Sequence, residues 1–401
     1  MKVDYIALSI PIFFILIAVE LVYAFYKKLN YYRINDSIAN LSQGIGSQLV
    51  GIFLKTITFF GYLYIYEHWR FFSFSNTLYT WLLLFMGVDF FYYWFHRYSH
   101  QINALWAAHI VHHQSEEYNL TVALRQSWFQ SGFSWMFYLP LAFVGFEPIM
   151  FLTVSAFNTL YQFWIHTRAI DNMGPLEWIL NTPSHHRVHH GSNPKYIDKN
   201  HAGTLIIWDR LFGTFQKEEE EVVYGITTPL ASWNPLWANF HYWVELFNTF
   251  KNADGLKEKF SVFFGSPGWF PKSMGGRQYP KEIDMDKYQK YSPIYEPKFN
   301  AYIFFQFVFS LAIASILLFT ASKLSTIQLV SNCALVILGL TSYGALMEQK
   351  NWAKTIENFR LILWLVLPIL FTYAPFFTYL VIGNTALVFL SFIWFNRLAR
   401  N

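Results

Sequence analysis

The 401-residue chain is 54% hydrophobic and 21% aromatic, with only 13% of residues charged. Soluble domains carry about 25% charged residues, so this composition excludes an ordinary soluble enzyme and indicates one polytopic membrane protein. The net charge of +4, without a Lys/Arg block, excludes a nucleic-acid partner, and the lone Cys333 excludes a disulfide framework or a thiolate metal site.

Met1–Asp4 carries one Lys and leads into an apolar run without a small-residue cleavage site, which predicts a retained membrane anchor. Residues 5–26 read as a first spanning helix, closed by Lys27, Lys28 and Arg33. A second covers 42–66, where Gly44, Gly46, Ser47 and Gly51 would let another helix approach closely. The third, 79–95, runs straight into His96, and the fourth apolar block, 129–165, is long enough for two passes or a hairpin, broken by Pro140, Gly145 and Pro148. Residues 167–298 are more polar, and the acidic run 218–221 reads as a solvated loop. Four further apolar blocks follow at 301–321, 327–346, 361–377 and 379–395.

The expected fold is therefore all-α: a polytopic integral membrane protein with a histidine-rich di-metal helical core on the cytosolic face and C-terminal transmembrane helices. Its expected segments are 1–78, 79–298 (catalytic) and 299–401. Lys27, Lys28 and Arg33 place the first loop inside, and the next two helices return the chain to that side at His96. All the histidine clusters then share the cytoplasmic face, in a bacterial inner membrane or the endoplasmic reticulum.

Eight of the thirteen histidines form three clusters: His96 and His100; His109, His112 and His113; His186, His189 and His190. Positions i, i+3 and i+4 share one helix face, so each cluster is expected to aim its imidazoles at one point. Imidazole ligates iron, copper, zinc or nickel. So many rings exceed what one tetrahedral zinc can use, which implies two metals. For any one cluster alone, histidines snorkelling beside an interfacial aromatic belt would explain it as well. Three clusters together favour metal binding.

Asp89 lies two turns before His96 inside an apolar block, where a carboxylate needs a partner. It is expected to accept an imidazole N–H, or to bond another helix. Thr182 and Pro183 mark the start of a short helix carrying the third cluster, which Gly191, Asn193 and Pro194 end. His166 closes the fourth apolar block as a candidate ninth ligand, with Gln162 one turn earlier placed to hold a metal-bound water. His185 faces away from His186 and is expected behind the ligands, whereas His68, His201 and His241 lack cluster partners and receive no role. Without soft ligands, copper(I) and iron–sulfur chemistry are disfavoured. Hydrolysis would call for a carboxylate base at the metal. None lies within the clusters, although Glu116 and Glu117 follow closely. Iron activating O2 against a lipid that cannot leave the bilayer fits this pattern.

The stretches WFHRYSHQINALWAAHIVHHQSEEYNLTVALRQS (94–127), LYQFWIHT (160–167) and NTPSHHRVHHGSNPKYIDKNHAGTLIIWDRLFGTF (181–215) resemble the fatty acid hydroxylase/sterol desaturase superfamily of membrane di-iron enzymes. VVYGITTPL, FSVFFGSPGWFP and LTSYGALMEQK extend the likeness toward the C-terminus, and within the superfamily the chain is most similar to the alkylglycerol monooxygenases. The resemblance implies two iron ions held by the eight clustered histidines, with His166 as an additional ligand. It also implies O2, an electron donor (tetrahydrobiopterin in such enzymes), and hydroxylation of the ether-linked carbon of glyceryl ethers, releasing an aldehyde and glycerol. Gln101 stands where such enzymes carry an acidic residue, which would alter the surroundings of the ligands or pterin use, and His201 where their K-N-x-A-G motif carries Tyr. The same-class alternative is a hydroxylase or desaturase of a fatty acyl chain, sterol, carotenoid or aminolipid. From other classes, a histidine-rich metal transporter and a non-catalytic lipid-binding protein stay open.

Overall fold

The computed structural model describes residues 5–284, 287–293, 297–366 and 377–400. Three long helices open the chain: α1 (Tyr5–Lys27), α2 (Ile34–Trp69) and α3 (Leu78–Gln101). A bilayer core of about 30 Å needs roughly 20 apolar residues, and each of the three contains such a stretch.

The 129–165 block folds as two helices, α4 (Gln130–Val144) and α5 (Pro148–Trp164). Only two of the three expected breakers act. Pro140 stays inside α4; the turn is made by Gly145, at φ 111°, and by Pro148 in the first turn of α5. A Cβ on Gly145 would sit 2.0 Å from the Phe72 carbonyl oxygen, so a side chain there is excluded twice over. Helix α3 packs against both α4 and α5, and α2 lies along α4.

The small residues of α2 serve the close approach expected of them. A Cβ on Gly44 would meet the Leu124 carbonyl oxygen at 2.5 Å, and one on Gly46 would meet Trp128 Nε1 at 2.3 Å. Gly46→Val is therefore expected to destabilise the protein by about 1–3 kcal/mol through overpacking. Thermal unfolding of the variant in detergent measures this, and an unchanged midpoint would contradict the tight contact.

The polar region holds α6 (Pro183–His189), α7 (Pro235–Asn252) and α8 (Gly255–Phe264) among loops and 3₁₀ turns. No strand occurs among the described residues; isolated bridges pair Leu180 with Leu205 and Gly191 with Tyr224. Acidic residues 218–221 are more anchored than a solvated loop. Glu218 pairs with Arg187 at 2.7 Å and Glu220 with Lys195 at 3.2 Å.

The C-terminal part contains α9 (Asn300–Thr320), α10 (Thr326–Met347), α11 (Ala353–Trp364) and α12 (Phe377–Arg400). Helices α9, α10 and α12 bring the number long and apolar enough to span a membrane to six among the described residues. Most of the expected 361–377 block lies outside the described residues.

The buried charges Glu20, Glu357 and Arg360 inside apolar segments are partnered, as a low-dielectric setting requires. The Glu20 carboxylate accepts from Tyr32, Thr167 and the Leu120 amide, tying α1 to the segments that carry the histidines. A second pair was not visible in the sequence: Glu357 and Arg360, one turn apart in α11, bond each other and reach Tyr302, Ser342 and Gln306.

Candidate metal centre

All nine predicted ligands converge. They form two groups: His96, His100, His109, His113 and His189 in one, and His112, His166, His186 and His190 in the other. Within each group the ligand atoms lie within 4.8 Å of one another. Every one of these rings is buried.

The division between groups differs from the sequence expectation that each cluster aims at one point. In both H-x2-H-H clusters the i and i+4 rings share a group, while the i+3 ring goes to the other: His109 with His113 against His112, and His186 with His190 against His189. His96 and His100, also i and i+4, stay together at the end of α3. Rings four apart on a helix point the same way, whereas neighbours diverge by about 100°. The second cluster is not α-helical either. Ile110–His113 is a 3₁₀ turn, which follows a short helix over Asn103–Ala107. Thr182 does precede α6 and Pro183 does open it, but the Thr182 hydroxyl donates to Glu177 rather than capping the helix.

Hydrogen bonds behind the rings decide which nitrogen faces inward. His96 Nδ1 donates to the His201 carbonyl at 2.7 Å, His112 Nδ1 to the Arg125 carbonyl at 2.8 Å, and His166 Nδ1 to the Gln162 carbonyl at 2.7 Å. His189 Nδ1 donates to the Lys199 carbonyl at 3.0 Å, and His109 Nδ1 to Gln130 Oε1 at 2.8 Å. A carbonyl can only accept, so each Nδ1 carries the proton and each Nε2 presents a bare lone pair.

Those lone pairs then face one another. His96 Nε2 lies 3.1 Å from His109 Nε2, and His112 Nε2 lies 3.2 Å from His166 Nε2. Two unprotonated nitrogens cannot hydrogen-bond, and burying them nose to nose is repulsive. A cation between them turns the repulsion into ligation. The Nε2 atoms of His100, His189 and His190 likewise have no protein partner. Burial also keeps the rings neutral: His109 and His166 are pushed down to about 4, and His113, His186 and His190 well below their usual range. Neutral imidazole is the ligating form. The donor set thus fits two metal ions, with no thiolate or carboxylate in either group.

The residues expected around the ligands fare unevenly. Asp89 accepts no imidazole N–H; its carboxylate takes Asn158, the amides of Thr204 and Leu205, and Trp208 Nε1. Its role is to fix the 201–208 segment, and with it the carbonyl that orients His96. Gln162 does support a ligand, through its backbone carbonyl to His166, while its side chain bonds Tyr92 and Asn158. His185 turns away from both groups toward Glu177 and Phe215, as its position implied. Gln101 ends α3 half-buried, with no hydrogen bond to a ligand ring. Glu116 and Glu117 point away to Tyr291, Arg33 and Lys290, leaving no carboxylate base from that pair at the metals.

Two residues escaped the sequence reading. His201, set aside for want of cluster partners, is fully buried with its ring 5.1 Å from that of His100. Gln130 holds His109 from α4, twenty-one positions away. Neither lies at helical spacing from a cluster, so no periodic signal could have found them. Because such outer hydrogen bonds set ligand orientation, Gln130→Ala is expected to weaken metal binding by about 10–100-fold. Competition with a chelator, followed by metal analysis, would measure it; wild-type retention would contradict the role.

A cavity of about 310 Å³ opens from the histidines. Its lining includes His109 of one group and His112 and His166 of the other, together with Ile10, Phe13 and Phe14 of α1 and Leu311 and Leu318 of α9. Ser127, Gln130, Ser131 and Ser134 are among its polar lining residues. An apolar chain can thus reach both groups from within the helices.

Comparison with known proteins agrees with this chemistry. The family model for fatty acid hydroxylase matches residues 81–214, and that for the alkylglycerol monooxygenase C-terminal domain matches 299–383. Alkylglycerol monooxygenase from Xenopus tropicalis is 43% identical over 368 residues, covering 91% of this chain and 82% of the relative. The Homo sapiens protein of that name is 42% identical with the same coverage. An ornithine lipid hydroxylase from Rhizobium tropici is 30% identical over 139 residues, 34% of this chain and 42% of the relative. No solved structure matches.

Proposed function

The chain belongs to the alkylglycerol monooxygenase family of lipid-oxidising membrane enzymes, and from that membership we propose that it hydroxylates the ether-linked carbon of alkylglycerols at a di-iron centre. One oxygen atom of O2 enters the C–H bond beside the ether oxygen; the other leaves as water, with two electrons and two protons from a reductant. The resulting hemiacetal breaks its C–O bond to give a fatty aldehyde and the free alcohol.

The observation that supports this reading is the cavity lined by members of both histidine groups. Iron bound by the five- and four-histidine sets would supply the O2 activation and C–H oxidation. His96, His100, His109, His113 and His189 would hold one ion, and His112, His166, His186 and His190 the other. The apolar walls from α1 and α9 would hold the alkyl chain and exclude water. An alkyl chain gains little on moving from lipid to such a cavity, because lipid tails are as apolar as leucine. Discrimination between lipids then falls on the polar lining residues, among them Gln130, which bonds His109. The charge pattern supports a cytoplasmic-face site, from which a soluble reductant such as a reduced pterin would be drawn. In this reading residues 79–298 form the catalytic segment between two sets of membrane helices.

The test uses the full chain in lipid nanodiscs, loaded with iron and given an alkylglycerol, O2 and tetrahydrobiopterin. Fatty aldehyde should form in proportion to O2 consumed. Intact ethers alongside a hydroxylated acyl chain, sterol or aminolipid would transfer the assignment to that substrate.

A further inference from the structure

His201 presents a buried imidazole that no protein group satisfies. The residue is fully buried, yet neither Nδ1 nor Nε2 has a hydrogen-bond partner. The Asp198 carbonyl lies on one side of the ring but outside hydrogen-bond geometry. Buried polar side chains are almost always paired, and an unpaired one signals a missing partner.

The backbone of His201 is firmly held: its amide donates to Asp209 Oδ1 at 2.8 Å, and its carbonyl accepts from His96. The ring is therefore placed by the fold. It borders only the five-histidine group, with centroids 5.1 Å from His100, 5.6 Å from His189 and 5.7 Å from His96. Contacting rings within that group lie between 4.4 Å for His96–His189 and 5.4 Å for His96–His100, so the 5.1 Å to His100 is within their range. His201 is nevertheless not among the residues whose ligand atoms converge in the group, and its ring borders those that end α3.

We propose that His201 is a positioning residue that hydrogen-bonds a water-sized ligand bound at the five-histidine metal. An ion held by these five imidazoles would keep room for a further small ligand, and His201, bordering three of the rings with both nitrogens unpaired, would supply a hydrogen bond to it. This rests on reading the five-histidine group as a metal centre.

The experiment titrates azide, a small anionic metal ligand, into the iron-loaded full chain and follows the optical charge-transfer band, with metal content measured in parallel. His201→Phe is expected to keep two irons per chain and to bind azide about tenfold more weakly, the size of one buried hydrogen bond. His201→Gln, which restores a polar group, should recover part of the affinity, and His201→Leu stands in for the Phe variant should that fail to fold. Unchanged azide affinity in a two-iron His201→Phe or His201→Leu protein would overturn the proposal, as would loss of one iron, which would make His201 a ligand. A wild-type chain that binds no metal would instead overturn the metal-centre reading itself.

Discussion

His112→Ala is expected to leave one metal ion per chain in place of two, and to reduce aldehyde formation by more than the ~10–100-fold typical of disturbing an outer-shell partner. The reason is geometric. His112 Nε2 faces His166 Nε2 at 3.2 Å, and His166 Nε2 in turn faces His186 Nε2 at 3.0 Å. Removing the first ring takes one of only four donors from its group and removes a ring that lines the cavity. The five-histidine group has no member in common with it and should keep its ion. Metal analysis of the purified variant, with the exposed His68→Ala as a control, reads the result. Two ions retained per chain would contradict the assignment of His112 as a ligand; loss of both would show the centres to be inseparable.

The second large effect is on folding. Asp89→Ala is expected to cost several kcal/mol of stability and to release metal from the five-histidine group. Four donors converge on this carboxylate: Asn158 at 2.7 Å, the Thr204 amide at 2.8 Å, Trp208 at 2.9 Å and the Leu205 amide at 3.0 Å. Each buried donor left without an acceptor costs about 1–3 kcal/mol, so even with partial relaxation the sum exceeds ~4 kcal/mol. The same segment carries the His201 carbonyl that orients His96, which couples the fold defect to the metal. Asp89→Asn should be nearly as damaging, because its amide group would face donors with another donor. Thermal unfolding with and without added iron would measure both variants. A melting temperature within a degree or two of wild type would refute the bracing role.

Much of the architecture was legible beforehand for a simple reason. Spanning helices are written as uninterrupted apolar runs, and the polar residues placed inside them, such as Glu20 and Asp89, announce that a partner exists. The partner's identity is not written locally. Asp89 was expected to serve an imidazole or to bond another helix; it does bond Asn158 of α5, and it also braces backbone amides more than a hundred residues away. Gly145 and Pro148 marked the hairpin turn correctly because each acts through its own backbone. Pro140 misled because a helix surrounded by other helices can absorb a proline.

The sequence by itself pointed to eight clustered imidazoles, with His166 as a candidate ninth, as the ligands of a metal site, since three such clusters beside apolar helices leave few other uses for those rings. The tertiary structure decided how they divide. Which ring joins which group follows from where a 3₁₀ turn, a seven-residue helix and the end of α3 meet, and these meet through contacts between segments far apart in the chain. The same packing drew in Gln130 and His201. Periodicity can report the direction of a side chain from its own helix, but only the assembled fold reports what stands opposite it.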